Sequence, residues 1–227
     1  APHYVLQQSY KNRGYLHHEL KQEQKAVSDA SAAIELEPIE AGVYANRGLA
    51  YNALKNYQAA IADHSRSIEL EPKVPGWYYN RGRVYRKVGN YQSSVSDLNR
   101  AIQLNASFEW AYYQRGLTYK AMGNGQQAEA DLTKALELGY REAKVYSNRG
   151  EIRLKLGNYK ESIEDLTQTI QLEPDRAEDH HNRAIAYHNL GNFSLAKADA
   201  QKAAQLYQAQ GNQEQYQILS DYLRQMP

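Results

Sequence analysis

The apolar and small residues of this chain return in the same pattern every 34 residues. Within one period Tyr44, Arg47, Gly48 and Tyr51 stand at i, i+3, i+4 and i+7, one face of a 3.6-residue helix. Tyr78, Arg81, Gly82, Tyr85 and then Tyr112, Arg115, Gly116, Tyr119 repeat it, and this face is expected to be buried. A second helix follows, with an aromatic, Ala or Ser, Ile or Val, Asp and an Ile-x-Leu ending, as in Tyr57, Ala60, Ile61, Asp63, Ile68 and Leu70. Gly89, Gly123, Gly157 and Gly191 fall where a left-handed residue ends the first helix, and Asn90, Asn124, Asn158 and Asn192 after them are placed to cap the second. Pro38, Pro72 and Pro174 close the second helix, since proline cannot extend it. So short a gap between helices permits only an antiparallel hairpin. The glycine of the buried face, at position 8 of the period, lets Ala26, Ala60 or Ala128 of the second helix approach the first closely.

The register is anchored by Asn12-Arg13-Gly14, which recurs as Asn46-Arg47-Gly48, Asn80-Arg81-Gly82, Gln114-Arg115-Gly116, Asn148-Arg149-Gly150 and Asn182-Arg183-Ala184. It sets repeats at 7–40, 41–74, 75–108, 109–142, 143–176 and 177–210, after a flank at 1–6. Residues 211–227 read as a closing helix, with Tyr216, Leu219, Tyr222 and Leu223 at helical spacing and Gln213, Gln217, Asp221 and Arg224 on the wet side. These residues resemble the tetratricopeptide repeat, whose aromatic, Leu-Gly, Tyr, Ala, Phe and Pro signature matches in phase over residues 7–210. The resemblance implies an all-α fold, a right-handed solenoid of antiparallel helix pairs. Departures are local: Arg replaces Leu before each glycine, Ala184 replaces Gly, and Gly125 and Glu129 replace an aromatic and an aliphatic, so the second helix of the fourth repeat is expected to start loosely. The Gln-rich stretch from Gln201 to Met226 looks like bacterial members of the family.

Composition narrows the function. The absence of cysteine removes thiolate metal sites, disulfides and a Cys nucleophile. With 27 basic and 26 acidic residues the net charge is +1, which gives no whole-chain reason to expect nucleic acid. Mean hydropathy is −0.80 and no apolar run nears the roughly 20 residues of a membrane span. Ala at position 1 reads as a trimmed start, which leaves the compartment open, with the cytoplasm favoured and an exported or membrane-associated location kept. Twenty tyrosines suit a structure whose core lies close to its surface, an apolar ring carrying a hydroxyl that can reach water or a partner.

No residues support an enzyme, a metal or a cofactor. Gly123-x-Gly125-x-x-Ala128 fits a relaxed dinucleotide fingerprint but falls in a helix–helix turn without the required strand. His17-His18 and His180-His181 are neighbours about 100° apart on a helix, and His181 and His188 sit about 10 Å apart along one face, so none shares a metal. Asn105-Ala-Ser107 and Asn192-Phe-Ser194 match the glycosylation pattern, which matters only in a secreted chain. No nucleophile elbow appears, and Glu164-Asp165 has no visible partner.

The resemblance implies a protein-interaction scaffold whose first helices line a concave groove with positions 2, 5, 6, 9, 12 and 13. Position 6 gives a carboxamide ladder, Asn12, Asn46, Asn80, Gln114, Asn148 and Asn182, similar to the Asn ladder of superhelical members. Each amide either pairs with the backbone of an extended peptide or bonds a neighbouring helix. The arginines at position 7 look like a basic stripe, but each repeat has Asp at position 23, from Asp29 to Asp199, so a structural ion pair is expected instead. Variation should set specificity: Tyr79, Arg83, Arg86, Lys87, Trp110, Tyr113 and Lys120 gather aromatics and cations, and repeat 75–108 holds five basic residues against one acidic. This points to an acidic or aromatic-containing segment of a partner protein, extended or helical, with ordinary surface charge as the plain alternative. The carboxylate clamp of chaperone-binding members is poorly matched, since Lys11 and Asn46 are present but Tyr15, Gly76 and Asn80 stand where its other polar ligands belong. A regulatory array of a larger enzyme, an assembly factor for a multi-subunit complex and single-stranded nucleic-acid binding are the competing readings.

Overall fold

The computed structural model describes residues 2–225, all helix and turn with no strand among them. Ala1 of the expected flank and Met226 and Pro227 of the expected closing segment lie outside the described residues. Two compact units divide within one helix, the first running to Thr118 and the second beginning at Tyr119. The first contains α1 (Pro2–Glu19), α2 (Glu23–Leu36), α3 (Ala41–Ala53), α4 (Tyr57–Leu70), α5 (Pro75–Lys87), α6 (Tyr91–Leu104) and most of α7 (Glu109–Ala121). The second contains α8 (Gly125–Glu137), α9 (Ala143–Lys155), α10 (Tyr159–Leu172), α11 (Ala177–Asn189), α12 (Phe193–Ala209) and α13 (Gln213–Gln225). Residues 2–6, read as a flank, are the opening turn of α1.

Successive helices pack as antiparallel pairs, and α2, α4 and α10 also pack on the first helix of the next pair. The core is thin and made of small residues. In the first unit Ala30, Ala33 and Val43 meet Tyr10 and Ile34, and Leu98, Ala101 and Ala111 meet Tyr78, Tyr79, Ile102 and Phe108. In the second, Ala203, Ala204, Tyr207 and Leu219 join α12 to α13. The tyrosines bury their rings and leave hydroxyls at the surface, as Tyr44 and Tyr78 do in donating to the carbonyls of Pro38 and Pro72.

Helix ends follow the expected backbone with one extension. Gly89, Gly123, Gly157 and Gly191 have φ between 76° and 82°, and at the same place in the first two repeats Lys21 and Lys55 adopt φ of 56° and 60° without glycine. The amide of Asn56 bonds the carbonyl of Tyr51 at 2.8 Å, the 6→1 bond of a Schellman turn. The asparagine caps are weaker than expected. Asn56 and Asn90 accept from Ala59 and Ser93 at 3.3 Å, whereas Asn124, Asn158 and Asn192 make no side-chain cap bond. Their ψ lies between 62° and 72°, short of the extended value that brings a cap side chain onto the amide.

The glycine of the buried face answers to a different neighbour from the expected alanine. A Cβ added at Gly48, Gly82 or Gly150 would lie 2.8, 3.0 or 2.9 Å from His64, Leu98 or Leu166, one turn beyond that alanine. Where Ala184 replaces the glycine, the residue at Leu166's place is Ala200, and both are buried in one cluster. The fourth repeat starts its second helix at Gly125, in register with Tyr57, Tyr91 and Tyr159, rather than loosely. Leu156 packs where Gly125 lacks a side chain, and Glu129 accepts from Arg153 Nε at 2.7 Å, an ion pair in place of an aliphatic contact.

Candidate functional site

The position-7 arginines are spent on structure, as their spacing to Asp implied. Arg47 donates through Nε and Nη2 to the two oxygens of Asp63, both at 2.8 Å, and Arg13–Asp29, Arg81–Asp97, Arg149–Asp165 and Arg183–Asp199 repeat the fork. A third donor reaches back to the preceding repeat: Arg47 Nη1 to Ser31, Arg81 to Ser65, Arg149 to Thr133, Arg183 to Thr167 and Arg115 to Asn99. Sequence reasoning missed these acceptors, although a polar residue at position 25 of each repeat was the available signal. The hydrogen-bonded Arg13 guanidinium holds the Asp29 carboxyl below its ordinary range, and Asp63, hydrogen-bonded to Arg47, raises that guanidinium above its own. These arginines are not a stripe for a ligand.

The position-6 amides divide. Asn46 and Asn80 are half-buried on α3 and α5, Asn182 likewise on α11, and Asn12 is exposed on α1. None of the four bonds another side chain or backbone group among the described residues. Gln114 keeps Oε1 buried without a partner. Asn148 is instead occupied, donating to the Lys144 carbonyl at 2.7 Å and accepting from Lys120 at 2.8 Å. Lys120 also pairs with Glu151, so it is a satisfied cation of the second unit and not a free one at the centre.

In the first unit, Arg83, Arg86 and Lys87 come off the last turns of α5 with no carboxylate partner among the described residues. Arg83 stacks on Tyr79 with its guanidinium carbon 5.3 Å from the ring centre. Arg86 Nε is buried and unbonded, and burial, reinforced by Arg83, pulls the Arg86 guanidinium below its ordinary value. Lys87 is likewise lowered by burial and then by Arg83 and Arg86. It donates to Asn52 Oδ1 at 2.9 Å and lies 5.9 Å from the centre of the Tyr57 ring. Tyr79 meets Phe108 at 5.1 Å between centroids, and Phe108 meets Trp110 edge-on at 6.0 Å. Trp110 is 47% exposed, whereas Tyr113 is 7% exposed and belongs to the interior rather than the groove wall. Phe108, Asn52 and Tyr57 are additions to the expected set. Asn52 holds a groove position and could have been named, but Phe108 closes the third repeat outside the first-helix positions, and only packing places it here.

Two histidines make structural contacts: His180 is bracketed by Asp199 at 3.1 Å and the Pro174 carbonyl at 3.0 Å, and His188 Nδ1 meets the Tyr222 hydroxyl at 2.8 Å.

Tetratricopeptide-repeat family models match residues 7–40, 41–74, 82–123, 111–138 and 141–209. The chain belongs to the tetratricopeptide-repeat family. No curated protein matches it by sequence. Among solved structures it is similar to PilF of Pseudomonas aeruginosa, with a TM-score of 0.85 at 15% identity over 98% of this chain and 100% of that one. It is similar also to YrrB, a tetratricopeptide-repeat protein with an unusual peptide-binding site, with a TM-score of 0.69 at 20% identity over 78% of this chain and 91% of that one. The Cut9–Hcn1 hetero-tetramer of the APC/C gives a TM-score of 0.73 at 16% identity, over 99% of this chain and 46% of that one. At these identities the likeness concerns the tetratricopeptide-repeat fold, which is that of a protein-interaction scaffold. No helix among the described residues is long and apolar enough to cross a membrane.

Proposed function

We propose that the chain holds a partner protein through the first-helix face of its first unit, where an acidic segment carrying an aromatic side chain lies across α3, α5 and α7. The observation that carries this reading is the cluster of Arg83, Arg86 and Lys87 on the last turns of α5, three cations with no carboxylate of their own among the described residues, where Arg83 lowers Arg86 and both lower Lys87. Like charges so placed raise the free energy of the empty protein, and an incoming carboxylate relieves that cost while gaining charge-assisted hydrogen bonds. Trp110, half exposed at the end of the Tyr79–Phe108 aromatic row, offers an apolar contact next to the cations. The unpaired amides of Asn46 and Asn80 can give one donor and one acceptor each to an extended backbone, independent of its sequence. The peptide-binding site named for YrrB supports the reading by analogy only.

The test is capture of partners from lysate by the immobilised chain, identified by mass spectrometry. Replacing Arg83, Arg86 and Lys87 together with Glu should reduce capture by at least about tenfold, since like-charge juxtaposition at an interface costs several kcal/mol. Arg100→Glu, a charge reversal at an exposed residue of α6, should leave capture intact. Full capture by the triple variant, with its helical circular dichroism unchanged, would overturn the site assignment.

A further inference from the structure

The second unit holds a recess of opposite character to the Arg83 cluster. It has a volume of about 500 Å³ and is bounded by α11, the end of α12 and the start of α13. Glu178, His181, Asn182, Tyr207 and Gln215 supply its polar groups, with Arg176 at one edge. Tyr207, only 7% exposed, lines the recess, and its hydroxyl makes no hydrogen bond among the described residues. That hydroxyl is therefore open to a hydrogen bond with whatever occupies the recess. Burial, and then the charges of Glu178 and Asp179, hold the Tyr207 proton above its ordinary range, which places the hydroxyl in a negative potential. The imidazole of His181 stands edge-on to Tyr207 at 6.3 Å, and burial keeps it neutral.

The charges nearby are negative on balance. Arg176 is committed, bonding Asp179, Glu173 and Ser147, so one cation stands against three carboxylates once Glu178 is included. Glu178 itself has no cationic partner among the described residues. Asn182 and Gln215 each turn an amide without a bonded partner toward the same space. The free groups are therefore one carboxylate, which only accepts, and two amides and a phenol, which can accept as well as donate, all under negative potential.

We infer that this recess is a subsite for a cationic side chain, the ammonium of a lysine or the guanidinium of an arginine, presented by a bound peptide. An anion is repelled by Glu178, and an apolar group would strand the Tyr207 hydroxyl and both amides without hydrogen bonds. An ammonium has three donors and a guanidinium five, enough to meet Glu178, Asn182 and Tyr207 together. The assignment rests on residues of the second unit alone and holds or fails independently of the Arg83 cluster.

The probes are four single residues blocked at both ends: lysine, arginine, norleucine and glutamate amides. Each is titrated into the full chain labelled with 15N, and the side-chain amide signals of Asn182 and Gln215 are followed. Lysine, arginine or both should shift these signals along a saturable curve, with affinity on the order of millimolar for so exposed a charge pair. Norleucine, isosteric with the lysine stem, and glutamate should leave them in place. Glu178→Gln should weaken the cation about fivefold by removing a partly exposed ion pair. Tyr207→Phe keeps the ring that packs the core and should weaken it as well. Equal response to norleucine, response to neither cation, or an unchanged affinity in Glu178→Gln overturns the assignment.

Discussion

His64 holds in the second repeat the place that Leu98, Leu132 and Leu166 hold in the next three. It is fully buried, its ring fills the space beside Gly48, and neither nitrogen finds a hydrogen-bond partner. Burial first, then Arg83 and Arg81, lower its pKa to about 4 from an ordinary 6.5. The folded protein therefore resists a proton that the unfolded chain accepts. Stability contributed by keeping this ring neutral is complete above about pH 6.5, falls as pH drops, and is lost on passing about 4. Denaturant melts should lose up to about 3 kcal/mol across that window, the equivalent of a shift of this size. In His64→Leu the loss between pH 6.5 and 4 should disappear, and stability at pH 7 should rise by about 1–3 kcal/mol as two stranded polar atoms are removed. The same pH slope in the variant would show that other groups cause it. The sequence displayed the odd residue, but its isolation is visible only once α3, α4 and α5 are packed around it.

A repeat's two helices approach as closely as position 8 and the residue sixteen places on allow. Gly150 faces Leu166 so tightly that an added Cβ would lie 2.9 Å from Cγ, while Gly14 has nothing nearer than 3.4 Å because Ala30 stands at that second place. Gly150→Ala should cost about 1–3 kcal/mol through overpacking. Gly14→Ala should be neutral or gain up to about 1 kcal/mol from helix propensity. Thermal or urea unfolding of the two variants checks the pair, and equal effects would refute the packing account. The last repeat already carries the compensated version, Ala184 with Ala200. That the glycine permits close approach was legible from its periodicity. Which side chain required it was not, because helix rotation about its axis selects the facing residue, and rotation is set by both neighbours.

Within each unit, helix pairs lean on their sequence neighbours, so an outer face left by the last pair must be covered. In the second unit α13 covers α12, burying Leu219 with Tyr216, Tyr222 and Leu223 against Ala203, Ala204 and Tyr207. Ending the chain before Gln213 should lower the melting temperature by several degrees and speed hydrogen exchange in α11 and α12, with α3 and α4 little changed. Uniform loss of protection throughout would contradict the nearest-neighbour picture. The sequence by itself determined the helix pairs, their 34-residue phase, the arginine–aspartate fork and the polar outer side of the cap. These follow from periodicity and fixed spacing, which a linear chain encodes directly. Tertiary structure alone decided which polar groups remain unspent: it paired Lys120 with Glu151, buried Tyr113, left Arg83 and Arg86 without carboxylates among the described residues and gathered Glu178, Asn182 and Tyr207 about one recess. A charge is available to a partner only when no neighbour in space has satisfied it, and neighbours in space are not neighbours along the chain.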